Sequence, residues 1–267
     1  MWRCPGVSGV KYKGKVDLLA GGVPCPPFSV AGKQLGSEDE RDLFPEAIRL
    51  IGEIQPRAVM LENVRGLLDP VFLDYRTSIL NQITELGYKV QIKLLNANDY
   101  GVPQLRPRVI IVGIRNDEKG EFHYPEEHPE TAKSVGETLL DLMKANGWKK
   151  ADRWAKSANT IAPTIVGGSK KHGGPDLGPA RARKAWATLG VNGLGVANEA
   201  PEPDFEGMPK LTPRMIARIQ GFPDTWDFGK KKNCCLQDDW QCLFPPPVAC
   251  AVGKEIRRVL DHECFDC

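Results

Sequence analysis

The chain has 267 residues, of which 41% are apolar and 26% are charged, as in globular proteins with one core, or one core and a small added domain. No apolar run approaches the roughly 20 residues that span a bilayer, and the N-terminus has no signal-peptide pattern. We therefore expect a cytoplasmic protein without a membrane anchor. The formal net charge of +2 does not by itself indicate a nucleic-acid binder.

The first half of the chain alternates between predicted strands and helices. The predicted elements are a buried strand at Val16–Ala20, a helix at 41–54, a buried strand at Ala58–Leu61, a helix at Phe72–Leu86 and strands at Tyr88–Asn96 and Arg108–Ile114. This order predicts an α/β fold with a parallel sheet, whose functional groups lie at the carboxyl ends of the strands.

The composition changes after about residue 145. Residues 146–210 are rich in Gly, Pro, Lys and Asn and show little periodicity, which predicts a small loop-rich domain. Thr212 followed by Pro213 is typical of a helix N-cap and first helical position, and Val248–Leu260 predicts a final helix. We therefore divide the chain into residues 14–145, 146–210 and 211–267.

Three short segments carry residues suited to chemistry. Cys25 lies between prolines at the end of the first predicted strand, Glu62 lies at the end of the second, and Arg106 and Arg108 lie at the start of a later one. Taken singly, Cys25 could be inert, Glu62 a solvated strand end, and the arginines surface charges. Their occurrence in this order at neighbouring strand ends predicts a common site.

With these motifs the chain resembles the cytosine-5 DNA methyltransferase family. The matching segments are Pro24-Cys25, Glu62-Asn63-Val64, Gln104-Leu105-Arg106-Pro107-Arg108, Leu211-Thr212-Pro213-Arg214 through Gln220-Gly221-Phe222-Pro223-Asp224, and Pro245-Pro246-Pro247-Val248-Ala249. The implied fold is the Rossmann-like sheet of S-adenosylmethionine-dependent methyltransferases, with a target-recognition domain inserted at 146–210. Residues 14–145 would then be a partial catalytic domain to which 211–267 returns.

The resemblance implies a role for each matching residue. The Cys25 thiolate would add to carbon 6 of a cytosine flipped out of double-stranded DNA. Glu62 would hydrogen-bond ring nitrogen 3 and the exocyclic amine, Arg108 would hold the carbonyl oxygen, and Arg106 would support the loop. Pro24 and Leu43 match minor contacts to S-adenosylmethionine. The expected DNA contacts are Ser29, Gln104, Lys170, Lys171, Arg181 and Arg183.

Two segments depart from the family pattern. Nothing before Val16 resembles the family's Phe-x-Gly-x-Gly loop, and Gln241-Cys242-Leu243 stands where the family has Gly-Asn-Ala. Shifting the frame by one base over 233–244 permits Gly-Asn-Ala, and a looser match arises near the N-terminus. We therefore expect a sheet that lacks its first strands, through a frameshift or because a separate subunit completes it. We also expect this chain alone to show no methyl transfer.

Three alternatives remain open. A tRNA cytosine-5 methyltransferase would share the Cys25 and Glu62-Asn63-Val64 motifs, although the long segment 146–210 favours DNA. A non-catalytic remnant could bind DNA through the same segment. The C-terminal cysteines suggest a zinc site, but they form no pair of CxxC motifs, so we expect no metal.

Overall fold

The computed structural model describes residues 7–23, 42–165, 176–227 and 244–261. The chain divides into two compact units. Unit 1 comprises residues 1–95, 107–125 and 251–267, and unit 2 comprises residues 96–106 and 126–250. Within the described residues, no helix is long and apolar enough to cross a membrane.

Unit 1 is built on a four-stranded sheet flanked by helices. Its elements are β1 (Leu18–Gly22), α1 (Phe44–Ile54), β2 (Ala58–Val64), α2 (Leu73–Glu85), β3 (Tyr88–Asn96) and β4 (Pro107–Arg115). These bounds confirm the predicted strands and helices of the first half to within a few residues. The α/β class is therefore correct.

The sheet is mixed, so the prediction of an all-parallel sheet was wrong. The strand order is β1-β2-β4-β3; β1 runs parallel to β2, and β4 runs antiparallel to β2. Residues 97–106, between β3 and β4, contain only a 3-10 turn at Ala97–Tyr100. Since a parallel strand needs a longer crossover, usually through an α-helix, this short connection favours an antiparallel strand.

Strand β1 lies at an edge of this sheet. It was predicted to be buried, but Ala20, Gly21 and Gly22 are exposed and the two leucines before them are only partly buried. Among the described strands β1 pairs only with β2, so its other edge has no strand to cover it. By contrast, β4 is buried from Arg108 through Ile114 because strands flank it on both sides.

The core of unit 1 forms where the helices cover the central strands. Phe44 and Ile51 of α1 and Ile79 and Ile83 of α2 pack with apolar residues of the two central strands, namely Val59, Leu61, Val109 and Ile111. The apolar residues that recur with helical or strand spacing in the sequence are therefore the ones buried in this core. Val23, which follows β1, and Leu61, which precedes Glu62 in β2, both belong to this core.

Unit 2 is mainly helical and has a tryptophan-rich core. It contains α3 (Val135–Met143), α4 (Ala151–Ser157), α5 (Ala180–Thr188), α6 (Pro213–Ile219) and the first residues of α7 (Pro246–Leu260). Trp148, Trp154 and Trp186 pack in one cluster with Leu211 and Met215. The compact unit is therefore wider than residues 146–210, and the assignment of that segment to target recognition remains a prediction.

Helix starts in unit 2 follow local capping signals. The Thr212 hydroxyl accepts a hydrogen bond from the Met215 N–H at 3.3 Å, which confirms the predicted N-cap. Helix α3 was not predicted, although Ser134 and Glu137 form a reciprocal capping box at its start. The Ser-x-x-Glu spacing is a recognised sequence signal for such a start, so this helix could have been found.

Candidate active site

The carboxyl ends of β1 and β2 lie side by side, as predicted. In the parallel register Gly22 is opposite Glu62, and the Val23 N–H donates to the Glu62 carbonyl at 3.2 Å. Cys25 follows Val23 by two positions and lies outside the described residues, as do Pro24 and Ser29. Val23, two positions before the predicted nucleophile Cys25, is therefore hydrogen-bonded to the backbone of Glu62, the predicted carboxylate.

Glu62 and Arg108 form a buried ion pair. Arg108 Nε lies 2.7 Å from Glu62 Oε1, with the two side chains 9% and 12% exposed. In the antiparallel pairing of β2 with β4, Glu62 is opposite Ile110, so Arg108 occupies the diagonal position on the same face. The sheet register thus brings together two residues that are 46 positions apart in sequence.

This pair provides a carboxylate and a guanidinium held in fixed geometry. Arg108 Nη1 also donates to the Pro107 carbonyl at 2.9 Å. A carboxylate presents acceptors to an amine or ring N–H, and a guanidinium presents donors to a carbonyl oxygen. Because both groups are largely withdrawn from water, their interactions with a bound polar ring are strengthened.

Asn63 contributes contacts that sequence interpretation had not assigned. Its Nδ2 donates to the Val23 carbonyl at 3.2 Å, and its Oδ1 accepts from the Val64 N–H at 2.8 Å. The side chain is 3% exposed. In the sequence, Asn63 stands out only as the middle residue of the Glu62-Asn63-Val64 motif. Its position beside Glu62 is the feature that could have predicted its contacts.

Arg106 and Gln104 belong to unit 2 and hold Ile165 there. Arg106 Nη1 donates to the Ile165 carbonyl at 3.1 Å, and Gln104 Oε1 accepts from the Ile165 N–H at 3.2 Å. Both side chains are fully buried. The supporting role of Arg106 in the site remains a prediction. Gln104 bonds within the protein, and its contact with DNA remains a prediction.

Two of the other predicted DNA contacts lie on α5, and the rest lie outside the described residues. Arg181 is exposed on α5, whereas Arg183 forms an ion pair with Asp176 at 3.2 Å. Lys170 and Lys171 lie outside the described residues. Their contacts with phosphates also remain predictions.

Comparisons with known proteins identify the family. The model of the family described as C-5 cytosine-specific DNA methylase matches residues 7–258. The chain belongs to this family. It is 55% identical over 251 residues to Type II methyltransferase M.NaeI from Lentzea aerocolonigenes, covering 93% of this chain and 60% of that protein. It is 52% identical over 259 residues to Type II methyltransferase M.NgoMIV from Neisseria gonorrhoeae, covering 96% of this chain and 81% of that protein.

Solved structures agree on the fold. The chain matches the S. pombe Dnmt2 methyltransferase with a TM-score of 0.53 and 15% identity, covering 93% of this chain and 79% of that one. It matches the Entamoeba histolytica methyltransferase EhMeth with a TM-score of 0.52 and 16% identity, covering 92% and 77%. The predicted methyltransferase fold is therefore confirmed.

The methyl donor of this family is S-adenosylmethionine, in agreement with the cofactor prediction. Of the two predicted cofactor contacts, only Leu43 is described; it is partly buried immediately before α1. The exposed end of β1 offers Ala20, Gly21 and Gly22, which carry no polar side chain. The described residues therefore do not form a site that could hold this cofactor. They also contain no group of three or more metal-ligating side chains.

Proposed function

We propose that the chain is the base-binding and target-recognising part of a DNA (cytosine-5)-methyltransferase, acting in a type II restriction–modification system in the cytoplasm. The observation that carries this proposal is the buried Glu62–Arg108 pair, with a separation of 2.7 Å, at the end of the strand that neighbours β1. The family assignment and the identities of more than 50% to two Type II methyltransferases support it.

The proposed chemistry begins with Cys25. Its thiolate adds to carbon 6 of cytosine, forming an Sγ–C6 bond and moving the ring's π electrons towards carbon 5. Glu62, in its carboxylic acid form, donates a hydrogen bond to ring nitrogen 3 and accepts one from the exocyclic amine, while Arg108 donates to the carbonyl oxygen; both bonds to the ring acceptors stabilise the negative charge that develops there. S-adenosylmethionine, when bound, supplies the methyl group to carbon 5; loss of the carbon 5 proton and cleavage of the Sγ–C6 bond then release the Cys25 thiolate and restore the ring. Because carbon 6 is inaccessible in a duplex, the base must be flipped out first.

We further propose that methyl transfer requires a segment that covers the free edge of β1, supplied as an N-terminal portion or by a partner subunit. The chain spans 60% of the length of M.NaeI. Its described residues leave one edge of β1 without a neighbour. A strand added there would cover the exposed Ala20–Gly22 segment and could bring the missing cofactor contacts.

Exchange of the cytosine 5-hydrogen tests the base chemistry without the methyl donor. Once Cys25 has added to carbon 6, carbon 5 can take a proton from water, lose the original hydrogen and expel the thiolate. We expect the purified chain to release tritium from duplex DNA containing [5-³H]cytosine, but not from tRNA. Cys25→Ala should abolish release, and Cys250→Ala, which changes an exposed free cysteine, should retain it.

Other outcomes would separate the alternatives. Release that persists in Cys25→Ala would contradict the proposed nucleophile. Release from tRNA alone would favour the tRNA enzyme. Salt-dependent duplex binding that survives Cys25→Ala, with no release from the unmodified chain, would support a non-catalytic DNA-binding remnant.

A further inference from the structure

The side chain of Asn63 interrupts the hydrogen-bond ladder between β1 and β2. In a regular parallel ladder, a residue on one strand bonds to the two residues that flank its partner on the other strand. Its N–H donates to the carbonyl of the residue before that partner, and its carbonyl accepts from the N–H of the residue after it. The Val23 N–H donates to the Glu62 carbonyl. The regular pattern therefore requires the Val23 carbonyl to accept from the Val64 N–H.

That bond is replaced by two bonds to the Asn63 amide group. The Val64 N–H donates to Asn63 Oδ1 at 2.8 Å, and Asn63 Nδ2 donates to the Val23 carbonyl at 3.2 Å. The amide thus stands between two backbone groups that would otherwise bond directly. At this point the two strands must separate by about the width of one amide group, while both backbone groups stay satisfied.

The two bonds of Asn63 lie next in sequence to the predicted catalytic groups. Glu62 immediately precedes Asn63, and Cys25 follows Val23 by two positions. The Asn63 side chain is 3% exposed and lies in the same compact unit as both strands. A buried spacer with a bond at each end is well suited to set the distance between two adjoining chain segments.

We propose that Asn63 is a positioning residue that holds open the gap between the chain leading to Cys25 and the strand carrying Glu62. A target base that reacts with Cys25 while bonded to Glu62 must fit between these groups. This inference rests on the proposed function. It assigns no contact between Asn63 and the substrate.

Asn63→Asp is the sharpest test because Asp has nearly the same shape. Its carboxylate can still accept from the Val64 N–H, but the donor to the Val23 carbonyl is lost and two oxygens face each other. Asn63→Ala removes the spacer, which lets the Val64 N–H bond directly to the Val23 carbonyl and close the gap. Tyr88→Phe is the matched control, because it removes a buried 2.7 Å bond to the Pro56 carbonyl elsewhere in unit 1.

Two measurements are needed. We expect both Asn63 variants to lower the maximal rate of tritium release by about 100-fold, as for a small misplacement of reacting groups, with duplex affinity and thermal midpoint close to those of Tyr88→Phe. In amide hydrogen exchange, Asn63→Asp should speed exchange of the Val23 N–H by about tenfold, and Tyr88→Phe should leave it unchanged.

The outcomes distinguish this inference from the proposed function. Release by the Asn63 variants within about threefold of Tyr88→Phe, or an unchanged Val23 amide in Asn63→Asp, would overturn the positioning role. If the unmodified chain releases no tritium, that result counts against the proposed function alone. The Val23 amide then decides whether Asn63 holds the end of β1.

Discussion

Gln104 and Arg106 show how a single motif can hold the protein's own backbone. Together they bond the N–H and the carbonyl of Ile165. The main chain reinforces this contact, since the Leu105 N–H donates to the Ala162 carbonyl at 2.8 Å and Gln104 pairs with Ala162 in a parallel bridge. These residues therefore fix the chain at Ile165, five positions before Lys170.

At the residue scale, we predict that Gln104→Ala destabilises unit 2 by about 1–3 kcal/mol, because the buried Ile165 N–H loses its acceptor. Urea denaturation followed by tryptophan fluorescence measures this, since the buried Trp148, Trp154 and Trp186 report on that unit. Leu105→Ala is the control, since Leu105 is 47% exposed and should change stability little. Equal midpoints for the two variants would contradict the structural role of Gln104.

At the element scale, an arginine of an ion pair in unit 1 also bonds the end of the last helix. Arg57 lies between α1 and β2 and binds Glu118 through two bonds of 2.7 and 2.9 Å, while its Nη2 donates to the Leu260 carbonyl at 2.6 Å. That carbonyl belongs to the last residue of α7, where helices leave carbonyls without partners inside the helix. The hydrogen bond from Arg57 holds the pKa of Glu118 below its usual value.

The lowered pKa predicts a pH-dependent stability. A carboxyl whose pKa is lowered on folding contributes stability above its unfolded pKa, and the contribution is lost as the pH falls through the folded pKa. We expect Glu118→Gln to unfold at lower temperature than the unmodified chain at pH 7, with the difference shrinking below a pH of about 4. Glu121→Gln, at an exposed neighbouring carboxylate, should show no such difference. A constant Glu118→Gln effect down to pH 3 would disprove the linkage.

At the scale of the whole molecule, the structure describes more of the residues expected to bind the base than of those expected to bind the methyl donor. The Glu62–Arg108 pair and the Asn63 contacts are formed among described residues of unit 1. The cofactor side is represented there only by Leu43, beside a strand with an exposed edge. Binding of the base and binding of the methyl donor should therefore be separable in this protein.

We predict that the purified chain transfers no methyl group, and that co-expression with the part of M.NgoMIV that it does not match restores transfer. The chain is 52% identical over 259 residues to M.NgoMIV and covers 81% of it, so we expect the remaining part of that protein to be compatible with the free edge of β1. Methylated duplex DNA and co-purification of the two polypeptides are the measurements. Methyl transfer by the chain alone would contradict the prediction, and co-purification without transfer would locate the defect elsewhere, for example in the misframed segment proposed at 233–244.

Much of the fold could be predicted from the sequence because its signals are local. Apolar periodicity marked the helices and strands of unit 1 and the Thr212-Pro213 pair marked the start of α6. The Ser134–Glu137 capping box also marks a helix start in the sequence, although α3 was not among the predicted helices. The resemblance to the family singled out Glu62 and Arg108, and the structure pairs them.

What the tertiary structure decided depends on contacts between distant segments. The antiparallel direction of β4 and the edge position of β1 follow from strand pairing, which no local pattern specifies. The same holds for the burial of Gln104 against Ile165. The position of Asn63 between Val23 and Val64 is visible only once β1 and β2 are paired, because its two hydrogen bonds replace one that exists only in the assembled sheet.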